Sequence, residues 1–529
     1  MCYNVKRKQI ICQKMRRTII LVILDGWGIG QKDESNPIHV VNPQNIANLK
    51  ANFPAGLLQA SGISAGLPWG EEGNSEVGHL NLGAGRIIYQ NYPRITLSIK
   101  DGSFFKNPAL KNAFEHAKKY NSTVNLMGLL SEGNVHASLE HLLALIKFSQ
   151  EEKITKLNLH LFTDGRDSPP HSLMELLARL PKEIKIATLS GRFYAMDREK
   201  YWDRTQKAYS VLIGEGSVID DIEKYAKESY ERKLTDEFLA PVILGPEKRS
   251  IQDNDVLIFF NFREDRIRQL AAAFIDKNFK NFPVKSFNNL YVTTMTKYDK
   301  GLNVPVVFQP EKIEVCLGKV LEDNGKFQFR IAETQKYPHI TYFFNGMREK
   351  PFKNEYRVLI PSRAIIHQEE HPEMMASEIT TRVIESIAEK AFDFILVNYA
   401  NSDIIAHTGN YEACIQVVKI IDEQIAKIVK AVIEHDAVLI ITADHGNIER
   451  LLDPLTGLPE TQHDPNPVPI YLVAKEFQRT KTKEEIDYSE KNSVGILADV
   501  APTILELMGL PKPKEMTGQS LLRLLISNF

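Results

Sequence analysis

The sequence predicts an α/β protein built from at least two α/β units. Three observations carry that reading. The chain has 529 residues, enough for two to four domains, each with its own core. Its apolar runs are short, continuous and rich in β-branched residues, as in parallel strands covered on both faces, and helical patterns lie between them. Polar residues collect just past the ends of those runs, where open α/β sheets bind their ligands.

Composition narrows the function classes. With 43% hydrophobic and 25% charged residues and a net charge of −2, no bulk charge suits nucleic acid or a membrane surface. Cysteines at 2, 12, 316 and 414 show no CxxC pairing, which reads as reduced thiols in a cytoplasmic protein. Residues 1–17 carry Lys6, Arg7, Lys8, Lys14, Arg16 and Arg17 and no acidic residue, and an apolar run follows. That run is too short for a membrane span and ends in Asp25-Gly26-Trp27-Gly28 rather than a small-residue cleavage site. Residues 1–17 are therefore expected to form a disordered basic extension, with Met15 as an alternative start.

In chain order, 18–24 reads as a buried strand with Asp25 at its C-terminal end. A short helix is expected near 43–51. The Gly/Pro-rich run 62–73 then delivers the chain to Gly73-Asn74-Ser75-Glu76-Val77-Gly78-His79, placing Ser75 in a glycine-rich turn. Residues 81–90 read as a turn and 89–93 as a crossover into a second unit. There 123–130, 157–163, 184–190, 255–261 and 290–296 read as strands, with 139–150 and 173–180 among the helices between them. After about residue 312, strands are expected at 392–397, 437–442 and 469–474, and a long packing helix at 412–434.

Two constellations carry chemistry. Arg166, Arg192, Arg198, Arg263 and Arg266 follow successive strands of the second unit. Guanidinium forks suit bidentate binding of phosphate and carboxylate, so the crevice they would share fits a small, doubly anionic substrate. The other constellation joins Asp25, Asp403, His407, Asp444, His445 and His463. Asp403 and His407 are four apart, so one helical turn puts both on one face. Oxygen and imidazole ligands without thiolate suit Mn²⁺, Zn²⁺ or Co²⁺, and the set is large enough for two ions. A serine hydroxyl bound to one of them loses its proton readily, an activation that no neighbouring base evidently gives Ser75.

The motifs are specific: LDGWG at 24–28, GNSEVGH at 73–79, TDGRD at 163–167, NFREDR at 261–266, AETQKY at 332–337, NSDIIAHTGN at 401–410, ADHGN at 443–447 and LADVAPTILELMGLP at 497–511. On these residues the chain resembles the cofactor-independent (2,3-bisphosphoglycerate-independent) phosphoglycerate mutases of the alkaline phosphatase superfamily, over about residues 17–529. The resemblance implies an alkaline-phosphatase-like, metal-binding domain split between 18–89 and 312–529. A substrate-binding transferase domain, 90–311, would be inserted into it. One metal site would use Asp403, His407 and His463, and the other Asp25, Ser75, Asp444 and His445. Two divalent ions are implied, Mn²⁺ foremost. His136, Arg166, Asp167, Arg192, Arg198, Arg263, Arg266 and Lys336 match the family's substrate residues.

The implied partner is a small phosphoglycerate, with a monomer as the default and neither nucleic acid nor membrane expected. In the implied reaction Ser75 takes the phosphoryl group of 3-phosphoglycerate. The glycerate reorients, and its 2-hydroxyl takes the group back to give 2-phosphoglycerate. Asp167 is the candidate base for that hydroxyl. Arg263, Arg266 and Lys336 would hold the phosphoryl oxygens, and Arg192 and Arg198 the glycerate. A metal-dependent phosphatase and a phosphopentomutase of the same superfamily are the nearest rivals. The five arginines of the insertion argue against the first, and TDGRD with NFREDR against the second. The loop 131–138 and residues 364–371 depart from the usual family pattern without removing a proposed ligand.

Overall fold

The computed structural model describes residues 17–245, 249–453 and 455–527. Residues 1–16 of the expected extension, with Met15, Cys2 and Cys12, lie outside the described residues. Arg17, which that expectation also included, is ordered. Its guanidinium donates to the Asp436 and Ala437 carbonyls at 2.8 and 3.1 Å and pairs with Glu476 at 2.5 Å. The backbone and carboxylate acceptors around it fix what charge alone suggested would be loose.

The chain divides into two compact units. One comprises the described residues up to Tyr89 and from Lys312 onward; the other is Gln90–Glu311. Among the described residues each unit is organised on one eight-stranded sheet, and no helix is long and apolar enough to cross a membrane.

In the first unit the sheet order is Glu355–Ile360, Gln328–Glu333, Phe394–Tyr399, Ile19–Leu24, Val438–Thr442, Val468–Val473, Ala55–Gln59, Ser493–Ile496. The run Ile19–Leu24 is central and wholly buried, pairing in parallel with Phe394–Tyr399 and Val438–Thr442. Its continuous apolar sequence matches a strand covered on both faces. Val468–Val473 runs antiparallel to both of its neighbours. That reversal matters: it brings the segment before Val468 to the same sheet edge as the C-terminal ends of the parallel strands. The helix Tyr411–Glu434 is capped by Asn410 and buries Val417, Ile421, Ile425, Ile428 and Val432 along one stripe.

Three local readings change. Residues 81–84 are not a turn but the end of the helix Ser75–Ala84. Asn74 starts that helix by accepting from the Val77 N–H, and Gly85, at φ +63°, ends it. Ser75 is thus the first residue of a helix rather than part of a turn. Strands Ala55–Gln59, Gln328–Glu333, Glu355–Ile360 and Ser493–Ile496 were not expected: polar residues interrupt the second and third, and the first and last are short and contain glycine. In Gln328–Glu333 those polar residues are buried and largely partnered: Arg330 donates to Gln328 Oε1 at 2.9 Å and to the Ile340 carbonyl at 2.8 Å, and its Nε lies 3.5 Å from Glu355.

The second unit orders its strands Val306–Phe308, Tyr291–Thr296, Val256–Phe259, Val124–Leu130, Leu157–Thr163, Lys185–Gly191, Val242–Leu244, Val218–Ile219. The five expected strands are present and parallel, each within a few residues of its predicted bounds. The additional strands are three residues long or fewer and lie at the two edges.

Candidate functional site

In the first unit, one edge of the sheet gathers the chemistry. Asp25 directly follows Ile19–Leu24 and Asp444 and His445 follow Val438–Thr442, while Asp403 lies in the helix Asn401–Ala406 after Phe394–Tyr399. Lys336 follows Gln328–Glu333. His463 precedes the antiparallel strand Val468–Val473 and so reaches the same edge. Ser75 opens its helix, where the aligned peptide dipoles favour negative charge on or near its oxygen.

The distances are short. Lys336 Nζ lies 2.6 Å from each of Asp25 Oδ1, Ser75 Oγ and Asp403 Oδ2. Ser75 Oγ is also 3.1 Å from Asp25 Oδ1 and 3.0 Å from His445 Nε2. All of these side chains are buried. Burial opposes the Lys336 ammonium, but the carboxylates of Asp25, Asp403 and Asp444 outweigh it and hold its pKa above the ordinary lysine value. Burial likewise opposes ionisation of Asp25, and Lys336 with His445 overcomes it, leaving that carboxyl well below its usual range.

The histidines show what this cluster is built to hold. His407 Nδ1 lies 2.8 Å from the Thr461 carbonyl and His463 Nδ1 2.8 Å from the Gly73 carbonyl. A carbonyl only accepts, so both Nδ1 atoms carry their protons and both Nε2 atoms present lone pairs. Those two Nε2 atoms face each other at 3.1 Å and lie 3.2 and 3.3 Å from Asp403 Oδ1. Converging lone pairs of this kind need a cation among them. His445 stacks on His463 at 4.1 Å between ring centroids and keeps its Nδ1 on the Gly446 carbonyl. Burial would lower the pKa of His445, yet Asp444, Asp25 and Asp403 push it up to about 10. Asp444 Oδ2 is buried and accepts no hydrogen bond. A pocket that draws a proton onto a buried imidazole and leaves a buried carboxylate oxygen without a hydrogen bond fits divalent cations.

The geometry groups the ligand atoms with more sharing than the sequence suggested. Oxygen and nitrogen atoms of Asp403, His445 and His463 lie together within 4.8 Å, and so do those of Asp25, His79 and Asp444. His79 was not singled out from sequence, although it stands four residues after Ser75 on the same helix face. Its Nδ1 contacts the Ser75 carbonyl at 2.9 Å and Asp444 Oδ2 at 3.1 Å. Asn398 and Asn447 were missed as well. Asn398 donates to Asp25 Oδ2 at 2.7 Å, and Asn447 to Asp403 Oδ1 at 2.9 Å. An asparagine at a strand end carries no sequence signal of its own: Asn447 has only its place in ADHGN, and Asn398 lies outside every motif.

The second unit holds a separate polar cluster at its own strand ends. Arg192 is buried and its Nη1 bridges Asp164 at 2.5 Å and Asp167 at 2.7 Å. Asp265 lies 2.9 Å from Arg198, 3.3 Å from Arg263 and 3.5 Å from His136. Arg166 pairs at 3.6 Å with Glu237. Burial, then repulsion from Arg198 and Arg192, hold the Arg266 pKa below its ordinary value, so these guanidiniums share one neighbourhood. Burial and the Arg192 charge lower the His136 pKa to about 4, which keeps the ring neutral, and its Nδ1 is buried without a hydrogen bond. The structure thus gathers every expected substrate residue of this unit. It adds Asp164 and Asp265, which orient the arginines and which sequence reading left unassigned.

Comparison with known proteins places these features. Residues 17–512 match the family model described as the Metalloenzyme superfamily. A 2,3-bisphosphoglycerate-independent phosphoglycerate mutase of Clostridium botulinum (strain Langeland) is 45% identical over 519 residues, covering 96% of this chain and 100% of its own length. One from Methanosarcina barkeri, bearing the same name with the number 1, is 45% identical over 520 residues, 96% of this chain and 98% of its own. Among solved structures, a phosphoglycerate mutase of Leishmania mexicana at low cobalt concentration aligns with a TM-score of 0.54 and 29% identity. It covers 96% of this chain and 97% of that one.

Proposed function

The chain belongs to the 2,3-bisphosphoglycerate-independent phosphoglycerate mutases, and on that premise we propose how its residues share the interconversion of 3-phosphoglycerate and 2-phosphoglycerate. It is an isomerase and a member of a metalloenzyme superfamily. Asp403, His407 and His463 would hold one ion, and Asp25, Ser75, Asp444 and His445 the other. Two Mn²⁺ ions would supply the charge that eases proton loss from a bound hydroxyl and offsets the phosphoryl oxygens.

The chain's own groups do the rest. Ser75 Oγ attacks phosphorus, the bond from phosphorus to the glycerate 3-oxygen breaks, and the phosphoryl group rests on Ser75. Lys336 Nζ, 2.6 Å from that oxygen, stabilises the charge that develops there. The leaving 3-oxygen takes a proton and the glycerate turns within the site. Asp167 then takes the proton of the 2-hydroxyl as that oxygen attacks phosphoserine, the bond from phosphorus to Ser75 Oγ breaks, and 2-phosphoglycerate leaves the serine free. Its pairing with Arg192 fixes the direction of the carboxylate. Arg263 and Arg266 hold phosphoryl oxygens. Arg192, Arg198 and Arg166 hold the glycerate, with His136 as a neutral hydrogen-bonding partner, so that it stays bound between the two transfers. In this reading 18–89 with 312–529 is the metal-binding domain and 90–311 the substrate-binding domain. The enzyme works as a cytoplasmic monomer on a small substrate, without nucleic acid or membrane; light scattering at working concentration tests the monomer.

One observation carries the mechanism: a buried serine oxygen within 3.1 Å of a lysine, an aspartate and a histidine nitrogen at the head of a helix. The test supplies 3-phosphoglycerate with Mn²⁺ and no 2,3-bisphosphoglycerate, and follows 2-phosphoglycerate through enolase. Ser75→Ala should remove turnover by about 10⁴-fold or more. Full activity in that variant would sink the nucleophile assignment. Release of mainly inorganic phosphate by the native chain would favour a phosphatase.

A further inference from the structure

Beneath the metal cluster lies a carboxylate that the mechanism does not use. Glu449 is fully buried. Its Oε2 accepts the Gly28 N–H at 2.9 Å and the Asn447 N–H at 2.8 Å. Gly28 belongs to the loop that carries Asp25, and Asn447 to the loop that carries Asp444 and His445. One oxygen therefore ties together two ligand-bearing loops that lie more than 400 residues apart in sequence, 421 between Gly28 and Glu449. The backbone adds a parallel tie, Ile448 N–H to the Gly26 carbonyl at 3.0 Å.

The surroundings are shaped to this head group. A Cβ on Gly28 would fall 2.0 Å from Glu449 Oε1, and one on Gly446 would fall 2.1 Å from it. Both positions must be glycine for the carboxylate to fit. The consequences spread to the other ligands. Asn447, whose backbone Glu449 fixes, uses its side-chain amide to hold Asp403 Oδ1 at 2.9 Å. Gly446 bridges to Asp464, the neighbour of His463. Loops bearing Asp25, Asp403, Asp444, His445 and His463 thus lie within one or two links of a single side chain that contacts none of those ligands through a hydrogen bond.

We propose that Glu449 is a positioning residue that sets the spacing of the ligand loops by the reach of its carboxylate, so that the cation pocket exists before any cation arrives. The inference rests on the metal assignment proposed above. Reach and charge are separable. Gln keeps the acceptor oxygen at the same distance and drops the charge; Asp keeps the charge and withdraws the acceptor by one methylene; Ala removes both. The burial of Glu449, with Asp464 close by, raises its pKa to about 7, so a neutral head group is already within its normal repertoire.

The experiment strips the full-length chain of metal and titrates Mn²⁺ calorimetrically, well below the melting temperature, for native protein, Glu449→Gln, Glu449→Asp and Glu449→Ala. Expected are near-native affinity for Gln and losses of about 10–100-fold for Asp and Ala, the range seen when a ligand's supporting partners are removed. The thermal midpoint of each metal-free variant is recorded alongside. If Ala does not fold, the Gln and Asp pair still decides. A lowered midpoint with unchanged Mn²⁺ affinity in Asp overturns the inference, since that is mere stabilisation. So does a loss in Gln as large as in Asp, which would make charge the cause. A native chain that binds no Mn²⁺ overturns the metal assignment and this inference with it, whereas native affinity in all variants overturns this inference alone.

Discussion

The two polar clusters occupy equivalent places, each at the C-terminal edge of a largely parallel sheet, and are built on opposite plans. In the first unit three carboxylates and several imidazoles converge, one ammonium compensates them in part, and every group but His407 and His463, which are 43% and 21% exposed, is buried. In the second unit guanidiniums converge and carboxylates hold them in place, and Arg166, Arg198 and Arg263 stay about half exposed at 59%, 45% and 51%. A carboxylate plays a different part in each. In the reading proposed above it is a ligand for a divalent cation in the first, and in the second it braces a guanidinium. Burial suits the first task, because ions bound there need water excluded and ligands fixed. Exposure suits the second, because an anion must enter and leave.

That contrast fails or sharpens under graded tests. Chelation strikes only the buried plan and should have the largest effect: EDTA abolishes turnover in the enolase-coupled assay, and added Mn²⁺ restores it. Activity that survives exhaustive chelation would remove the metal from the argument. Lys336→Met should lower kcat by about 10²–10³-fold, as for loss of one donor to a developing oxyanion. It takes a cation from between Asp25 and Asp403, so Mn²⁺ should bind at least as tightly as before; weaker binding by calorimetry would contradict the electrostatic reading of this site. Asp265→Asn touches only the exposed plan. With Arg198, Arg263 and His136 less firmly oriented, KM should rise about ten-fold, worth about 1.4 kcal/mol, while Mn²⁺ affinity is unmoved. A change in metal affinity would mean the two clusters are not independent.

The last effect concerns acid. His141 and His160 of the second unit are buried, and burial lowers both to about 3. Unfolded histidine titrates near 6.5, so between that pH and about 3 only the unfolded chain takes up these protons. Their contribution is therefore present above about pH 6.5 and is lost as pH falls, at about 1.4 kcal/mol per pH unit for each ring. Denaturant titrations of the chain at pH 7, 6 and 5 should show the decline, and His160→Gln should make the slope shallower.

Much of this was legible beforehand, for a physical reason. A strand buried on both faces is largely apolar, so 18–24 could be read to within a residue, and 157–163 to the residue although it carries Asn158 and His160. The candidate ligands stood out because Asp and His at the ends of such runs are costly unless used. What stayed hidden depended on partners distant in sequence. Glu449, Asp164 and Asp265 have the composition of any surface acid, and only the groups facing them give them a task. Gly83 misled in an instructive way. It suggests a turn, yet it sits inside a helix because a Cβ there would lie 2.0 Å from the Phe344 carbonyl oxygen. The glycine serves contact rather than chain reversal, a distinction that requires the neighbour. The strand Gln328–Glu333 was concealed by Arg330, whose burial is offset by bonds to Gln328 and Ile340 and by the Glu355 carboxylate 3.5 Å away.

The central strand Ile19–Leu24 has both of its sheet partners more than 360 residues further along the chain, in Phe394–Tyr399 and Val438–Thr442. During synthesis at about 5–20 residues per second, that apolar segment leaves the ribosome roughly 20–80 s before the second partner exists. The continuous segment Gln90–Glu311 suffers no such delay and has all its strands available as soon as it emerges. Biogenesis of this enzyme is therefore a waiting problem. Its wholly apolar central strand stays unpaired while the insertion completes its own sheet, and truncation anywhere before about residue 442 leaves that strand without its second neighbour.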